Sequence, residues 1–238
     1  MYSFKPENQA ELQFETGENV FHPTATSLYL IRAFSKAIKK PGKVLDLGCG
    51  CGVVGIVAGK LGLASVPVCA SDLSADAVEC ALANARKHEI EVDVRVGSLF
   101  DPWKGYAFDY IVDDVSGVAE EIAAVSEWFR GVPCHSGADG TALVGKVIRE
   151  SSKYLTSGGK LFFPIISLSN GNKILDIANE CFTRVMRIAH EEWPLPSPMI
   201  PHTSLLRDLH REGKIRIVEK FGMIILSTDI YVACNGEE

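Results

Sequence analysis

The chain has 238 residues, 47% hydrophobic and 23% charged, which is enough to bury one sizeable core. Its 24 basic and 30 acidic residues give a net charge of −6, which disfavours nucleic acid as a partner and an anionic membrane as a binding surface. The N-terminus lacks a basic stretch followed by an apolar core, and no later run reaches the length of a membrane span. We therefore expect a cytoplasmic protein, whose seven cysteines, with no CxxC pair, are reduced thiols.

Short apolar runs alternate with segments of helical period between Val44 and Ile166. This alternation is typical of βαβ units and a mostly parallel sheet. The helix predicted over residues 74–88 has Ser74 as its N-cap and Asp76 in its first turn. We expect further helices at 24–40, at 172–182 and at 141–155, the last ended by a turn at 158–159, and strands at 43–48, 66–72, 92–98, 108–114, 160–166, 184–193 and 222–233.

The predicted domain organisation has two parts. Residues 1–40 form an N-terminal segment and helix that contribute to the active site, and residues 41–238 form the main domain. Within it, the stretch 194–218 holds four prolines and then an amphipathic helix at 202–213. We expect this insert to be a lid or an interface, through which the chain could form an oligomer.

The stretch "VLDLGCGCGVVG" places Asp46, Gly48, Gly50 and Gly52 where the first strand of the alternation meets the next helix. Glycines allow a tight turn there and let a ligand approach backbone amides. The same letters also satisfy G-x-G-x-x-G, the fingerprint of a dinucleotide site. We favour a different nucleotide, because an acid at the end of the strand suits a ligand with an ammonium group and would repel a diphosphate.

Four successive segments, "VLDLGCGCGVVGI", "CASDLSADAVECALANARKH", "VRVGSLFD" and "FDYIVDD", resemble the motifs of class I S-adenosylmethionine-dependent methyltransferases. The chain is most similar to the small-domain group that includes the protein glutamine N-methyltransferases acting on release factors. The likeness covers residues 19 to about 166. It implies a doubly wound, mostly parallel, seven-stranded α/β sheet of Rossmann-like type with the last strand antiparallel, and S-adenosylmethionine as cofactor.

The resemblance also implies roles for individual residues. Asp46 would lie near the amino group of the methionine moiety, Asp72 would accept hydrogen bonds from the ribose hydroxyls, and Ser98 would meet the adenine edge. An acid often stands in relatives where this chain has Ser98. The full set implied for the cofactor is Asp46, Gly48, Cys49, Gly50, Gly52, Asp72, Leu73, Ser98, Leu99 and Asp113.

Two adjacent acids, Asp113 and Asp114, end the strand "FDYIVDD". In the group that this sequence resembles, the matching strand ends in Asn-Pro-Pro-Tyr, whose asparagine holds an amide or a base. Here Asp114 to Gly117 read Asp-Val-Ser-Gly, which puts glutamine or adenine in doubt as the substrate. An ionised carboxylate only accepts hydrogen bonds, so Asp114, with Asp113 nearby, suits an amine or a guanidinium and could receive its proton.

Three other interpretations of the acid pair remain open. A metal-dependent methyltransferase would need further oxygen ligands, for which the next strand offers only Ser167, Ser169 and Asn170. One acid could instead cap a helix starting near Val118. The chain could also be a binding protein without catalysis. Other residues with weaker claims to the site are Phe21, His22, Trp103, His135, Glu191, Glu192 and Trp193, whereas we expect Trp128 and Phe129 to pack against the sheet.

From the sequence we predict an S-adenosylmethionine-dependent methyltransferase that N-methylates a polar or cationic nitrogen, with Asp114 and Asp113 as catalytic residues and no metal. The acceptor would be a small molecule or an exposed protein side chain. The alternatives are a protein glutamine or nucleic-acid base N-methyltransferase, and a non-catalytic cofactor-binding protein.

Overall fold

The computed structural model describes residues 1–6 and 10–236, and no helix in those ranges is long and apolar enough to cross a membrane. The chain begins with an antiparallel hairpin of β1 (Tyr2–Phe4) and β2 (Leu12–Phe14), which the sequence did not predict. Phe4 and Phe14 are buried in the same apolar cluster as the helices that cover one face of the main sheet. The N-terminal hairpin is therefore packed onto the main core.

The main sheet has eight strands, and their order is β5-β4-β3-β6-β7-β10-β8, with β9 paired to β10 beside this row. The pairs among β3 to β7 are parallel, and β10 is antiparallel to each of its partners. The predicted doubly wound α/β fold is confirmed, with the short β9 added to the seven strands expected. The strands are β3 (Val44–Leu47), β4 (Val68–Asp72), β5 (Val92–Val96), β6 (Phe108–Asp113), β7 (Leu155–Ile166), β8 (Arg184–Pro194), β9 (Val218–Lys220) and β10 (Met223–Cys234).

Helices cover both faces of the sheet, so the central strands are apolar on both sides, as parallel strands must be. One buried cluster joins α1, α2 and part of α3 to the sheet, and a second joins α5 and α6 to the opposite face. The helices are α1 (Ala25–Ala37), α2 (Val53–Lys60), α3 (Ala75–Lys87), α4 (Glu120–Val125), α5 (Ala142–Ser151), α6 (Gly171–Cys181) and α7 (Thr203–Arg211).

The end of α5 differs from the prediction, whereas the start of α3 agrees with it. Ser74 caps α3 by accepting a hydrogen bond from the Ala77 amide, and Asp76 lies in the first turn. Helix α5 stops at Ser151 instead of continuing to the glycine pair 158–159. Those glycines lie inside β7, in an irregularity where its pairing with β6 shifts register. The glycines therefore lie at a register shift within a strand and do not end the helix.

The register of β6 is fixed near its start by side-chain hydrogen bonds. Asp109 accepts one bond from the Lys43 amide (2.8 Å) and another from the Thr156 hydroxyl (2.9 Å), which ties β6 to both neighbouring strands. The Tyr110 hydroxyl donates to the Lys40 carbonyl at 3.0 Å. These contacts set which residues of β6 face each side of the sheet.

The insert 194–218 contains α7, as predicted, preceded by a 3-10 turn at Ser197–His202. Leu206 and Leu209 of α7 are buried in a third apolar cluster with Val118 and Ile122, which follow β6. The insert therefore packs against the segment that follows the strand ending in the two acids.

Candidate functional site

A cavity of about 670 Å³ opens at the carboxyl ends of the parallel strands. It lies where the strand order reverses between β3 and β6, the position at which open α/β sheets bind ligands. We call the part formed after β3, β4 and β5 the glycine-loop side. We call the part formed after β6, β7 and β8, together with Phe21, the aromatic side.

The glycine loop follows β3 and turns back toward the sheet. Gly48 (φ +70°) and Gly50 (φ +52°) have left-handed backbone conformations, and both line the cavity with Cys49 between them. A Cβ atom on Gly48 would lie 2.9 Å from the Val115 side chain, so the close approach of the two loops also requires glycine. Gly52 lies outside the cavity wall, at the N-terminus of α2.

Asp72 ends β4 and connects it to the glycine loop. One carboxylate oxygen accepts a hydrogen bond from the Gly50 amide at 2.9 Å, and the other accepts one from the Ser74 amide at 2.9 Å. Each oxygen keeps capacity for a further hydrogen bond on the cavity side. Leu73 is 63% exposed beside it and also lines the cavity.

Ser98 and Leu99 complete the glycine-loop side in the turn after β5. Leu99 has a left-handed backbone (φ +47°), and its carbonyl accepts a hydrogen bond from the Ser71 hydroxyl at 3.2 Å. This bond joins the ends of β4 and β5. The predicted residues Gly48, Cys49, Gly50, Asp72, Leu73, Ser98 and Leu99 are thus brought together in one wall.

Asp114 lies in the cavity wall on the aromatic side, directly after β6 and next to the glycine-loop side. One of its carboxylate oxygens accepts a 2.7 Å hydrogen bond from the hydroxyl of Ser27, which is buried in α1. Desolvation raises the pKa of Asp114 to about 7, and the bond from Ser27 opposes that rise. The carboxyl group therefore changes its charge near neutral pH.

Asp113 is not part of the cavity, which corrects the prediction that the two acids act together. Successive side chains of a strand point to opposite faces, so Asp113 lies on the face of the sheet away from Asp114. It is fully buried, its one bonded oxygen accepts from the Val115 amide at 3.2 Å, and the other has no partner. Burial raises the pKa of Asp113 well above its usual range, because the core disfavours the charged form.

Asp46 is likewise outside the cavity, contrary to its expected place near a bound methionine group. It is fully buried, and one carboxylate oxygen accepts a 2.8 Å hydrogen bond from the Gly55 amide of α2. Its other oxygen has no partner. Burial raises the pKa of Asp46 to about 8, with smaller contributions from the charges of Asp114 and Asp72. In this structure Asp46 holds α2 against β3 from within the protein.

The aromatic side contains residues that the sequence did not assign to the site. Trp128 and Phe129, which we expected to pack against the sheet, both line the cavity, as do Phe21 and Trp193. His135 lies at the exposed edge of this side.

The other weaker candidates lie elsewhere. Trp103 is buried in the core, with the Arg95 guanidinium 4.2 Å from its ring centroid, and His22 is exposed outside the cavity wall. Glu191 and Glu192 are exposed on β8, where Glu192 pairs with Lys220 at 2.6 Å.

Two alternative interpretations of the acids find no support in the geometry. Helix α4 begins at Glu120 with Ala119 as its N-cap, so neither acid caps it. The Asn170 side chain caps α6, and Ser169 donates to the Ile166 carbonyl. Within residues 1–6 and 10–236, no group of three or more His, Cys, Asp or Glu side chains is arranged to hold a metal ion.

Comparison with known proteins gives consistent matches. The methyltransferase small domain family matches residues 11–114. The chain is 37% identical over 102 residues to a ribosomal protein L11 methyltransferase of Thermotoga neapolitana, covering 43% of this chain and 36% of that protein. It is 30% identical over 166 residues to a ribosomal protein uL3 glutamine methyltransferase of Francisella tularensis subsp. tularensis, covering 66% and 52%. The chain thus spans about a third to a half of the length of these curated relatives.

Solved structures share the fold. A 16S rRNA N2 G1207 methyltransferase of T. thermophilus, in complex with AdoMet and guanosine, superposes with a TM-score of 0.62 at 14% identity, covering 99% of this chain and 50% of that one. A ribosomal protein L11 methylase of Lactobacillus delbrueckii subsp. bulgaricus gives a TM-score of 0.56 at 19% identity, covering 91% and 82%. These likenesses confirm the Rossmann-like class I methyltransferase fold.

Proposed function

We propose that this chain, whose residues 11–114 match the methyltransferase small domain family that its sequence resembles, is an S-adenosylmethionine-dependent N-methyltransferase. Its acceptor is an amine or guanidinium nitrogen, in a small molecule or an exposed protein side chain, held at Asp114. The observation that carries the proposal is the Asp114 carboxylate in the cavity wall, anchored by Ser27 and facing the space beside the glycine loop.

The glycine-loop side suits S-adenosylmethionine. The backbone at Gly48 and Gly50 lines the cavity, where a ligand could contact it, and the Asp72 carboxylate can accept hydrogen bonds from two adjacent hydroxyls. The cofactor, when bound, supplies a methyl group on a positively charged sulfonium. Asp72, Asp76 and Asp114 line the cavity, and among the described lining residues there is no Lys or Arg. This charge pattern favours a cationic cofactor over a dinucleotide, whose phosphates the acids would repel.

The same charge pattern guides the choice of acceptor. A nucleic-acid substrate brings phosphates, which proteins usually hold with Lys and Arg. The described lining of this cavity offers carboxylates instead. An amine or guanidinium can donate hydrogen bonds to Asp114 and is attracted by its charge. An amine must also lose a proton before it can attack, and a carboxyl group with a pKa of about 7 is suited to accept that proton.

The alternative is methylation of an amide nitrogen, as the name of the uL3 glutamine methyltransferase relative indicates for that protein. The N–H groups of a glutamine amide could also donate to Asp114. This alternative predicts that Asp114→Asn keeps activity, because an asparagine holds an amide well, whereas an amine acceptor needs the carboxylate.

The first experiment is transfer of a radiolabelled methyl group from S-adenosylmethionine into a cell extract, separated afterwards into small molecules, protein and nucleic acid. We expect label in small cationic molecules or in basic protein side chains. Label confined to nucleic acid or to glutamine side chains would reject the amine acceptor. Asp72→Ala serves as the control for cofactor-dependent transfer, since its weaker cofactor binding should reduce label in every fraction alike.

A further inference from the structure

Two tryptophans form a corner on the aromatic side of the cavity. Trp128 comes from the 3-10 turn Glu127–Phe129 after α4, and Trp193 from the end of β8. Their ring centroids are 6.3 Å apart and the ring planes meet at 76°. Both are partly exposed, and both line the cavity. The corner therefore offers two differently oriented aromatic surfaces to whatever occupies this side.

The Trp193 ring is held in place by a buried hydrogen bond. Its indole N–H donates to the Thr228 hydroxyl on β10 at 3.1 Å, and Thr228 is only 1% exposed. Because the one polar group of the indole is used within the protein, Trp193 offers a ligand its π surface and no hydrogen-bond donor. Such a surface attracts cations and apolar groups and has no specific attraction for carboxylate or phosphate.

The other residues of the aromatic side favour a cation over a neutral apolar group as the ligand of the tryptophan corner. Apart from the aromatic rings, this side is lined by aliphatic residues such as Ile166 and Leu168. Its titratable residues are Asp114, in the wall, and His135, at the exposed edge. A cation over an aromatic face is bound more strongly when the site is shielded from water, and a nearby carboxylate adds to that attraction.

We propose that Trp128 and Trp193 form a subsite for an organic cation, so that the acceptor places an ammonium or guanidinium group against the two rings. This inference rests on the proposed function, because it assigns the acceptor class to the same cavity. It makes the two tryptophans specificity-determining residues, distinct in role from Asp114.

The test uses two probes of nearly the same shape. Choline carries a quaternary ammonium, and 3,3-dimethylbutan-1-ol is its neutral carbon analogue. Each is titrated into the full chain saturated with S-adenosylhomocysteine, at constant ionic strength, while intrinsic tryptophan fluorescence is recorded. Trp103 is the third tryptophan and is completely buried, so it contributes a constant background. We expect choline to bind at least about tenfold more tightly than the alcohol.

Variants at Trp193 test whether the difference in affinity between choline and the alcohol arises at the tryptophan corner. Trp193→Leu should weaken choline binding about tenfold or more and leave the alcohol nearly unaffected, while Trp193→Phe should restore part of the choline affinity. Thr228→Val removes the hydrogen bond without changing the size of the side chain, and it should weaken choline binding severalfold because the ring is no longer held.

Equal affinity for the two probes, or no binding of either, would overturn the cation subsite. That result leaves the proposed function standing if S-adenosylhomocysteine binds by calorimetry and labelled methyl transfer occurs. Failure of S-adenosylhomocysteine to bind would instead reject the proposed function itself, so the two failures are distinguishable.

Discussion

The hydroxyl of Ser27 donates a 2.7 Å hydrogen bond to the carboxylate of Asp114, joining the first turn of α1 to the end of β6 across 87 residues of sequence. Ser27 is 2% exposed, so water cannot easily replace it. The charge and orientation of Asp114 therefore depend on a helix that precedes the whole parallel sheet.

Replacing Ser27 by alanine should move the pH dependence of methyl transfer. The hydrogen bond stabilises the ionised form of Asp114, so its loss raises the pKa of Asp114 above about 7. If the carboxylate is the active form, the rise of activity with pH shifts to higher pH. A hydrogen bond to a charged group contributes about 1.5–3 kcal/mol, equivalent to a shift of about one to two pH units. The measurement is kcat/KM against pH.

Ser35→Ala is the matched control for that shift. Ser35 lies on the same helix, but its hydroxyl donates to the Ile31 carbonyl, away from Asp114. Ser35→Ala should leave the midpoint of the pH profile of kcat/KM unchanged. Ser27→Thr, which keeps a hydroxyl, should return that midpoint toward the value of the parent protein. An unchanged midpoint in Ser27→Ala would mean that Asp114 does not set the pH dependence.

Asp114→Asn and Asp113→Asn should behave differently although the residues are adjacent. The first removes the proton acceptor from the cavity wall, and we expect kcat to fall by about 10²- to 10⁴-fold. The second replaces a buried acid outside the cavity wall by an amide of the same shape, so kcat should change little. Steady-state rates and melting temperatures of both variants check this. A large loss of kcat in Asp113→Asn, with the fold intact, would contradict the assignment of Asp113 to the core.

Asp72→Ala should weaken cofactor binding selectively. It removes an acceptor of hydrogen bonds from the ligand and also loosens the glycine loop at Gly50. We expect S-adenosylhomocysteine to bind about 10- to 100-fold more weakly by calorimetry, the loss typical of charged hydrogen bonds. Asp76 also lines the cavity but bonds to the Asn19 side chain at 3.1 Å, so Asp76→Ala should cost only a few-fold. Equal losses of affinity in Asp72→Ala and Asp76→Ala would mean that the negative charge of the cavity, and not the hydrogen bonds of Asp72, accounts for cofactor binding.

Asp46 should make the protein less stable as the pH rises from about 4 to about 8. In the unfolded chain Asp46 ionises near pH 4, whereas the folded protein keeps it protonated up to about pH 8. The folded state then binds more protons in this window, so the free energy of unfolding declines with pH, by at most about 1.4 kcal/mol per pH unit for this group. Asp46→Asn cannot ionise and should lessen the decline in denaturant titrations at pH 5 to 8. The exposed Asp101→Asn should leave the slope unchanged.

Sequence reasoning located the glycine-loop side well because its residues follow the ends of strands. Gly50, Asp72 and Ser98 each lie just after an apolar run, and parallel strands bring such positions to one edge of the sheet. The alternation of helices and strands predicted the doubly wound, mostly parallel sheet but not the order of its strands, and among the strands that the structure describes the terminal hairpin and the short β9 were not predicted.

It was harder to predict from the sequence toward which face of the sheet an acidic side chain points. Asp46 and Asp113 are separated by one or two residues from positions in the cavity wall, and the strands around them are apolar on both faces. Without a polar face, the sequence does not reveal which side chains point toward the ligand. Only the packing of the folded chain shows that Asp46 and Asp113 are buried, each with one carboxylate oxygen that has no hydrogen-bond partner.

Ser27 and Trp128 were missed for a different reason. Both reach the cavity through contacts between distant segments, and neither belongs to a local motif at a strand end. The family likeness, which begins at residue 19, covered this region but did not single out the serine. Trp193 had one weak signal, an aromatic residue between two acids and a proline at the start of the insert.

The contacts of Asp109 also determine which of two adjacent acids lies in the cavity wall. Ile111 and Val112 are both apolar and Asp113 and Asp114 are both acidic, so this half of β6 would tolerate a slip of one residue with little change in chemistry. The hydrogen bonds of Asp109 to Lys43 and Thr156 forbid that slip. The register of the strand at the cavity is thus set about five residues before Asp114, at the opposite end of β6 and outside the cavity wall.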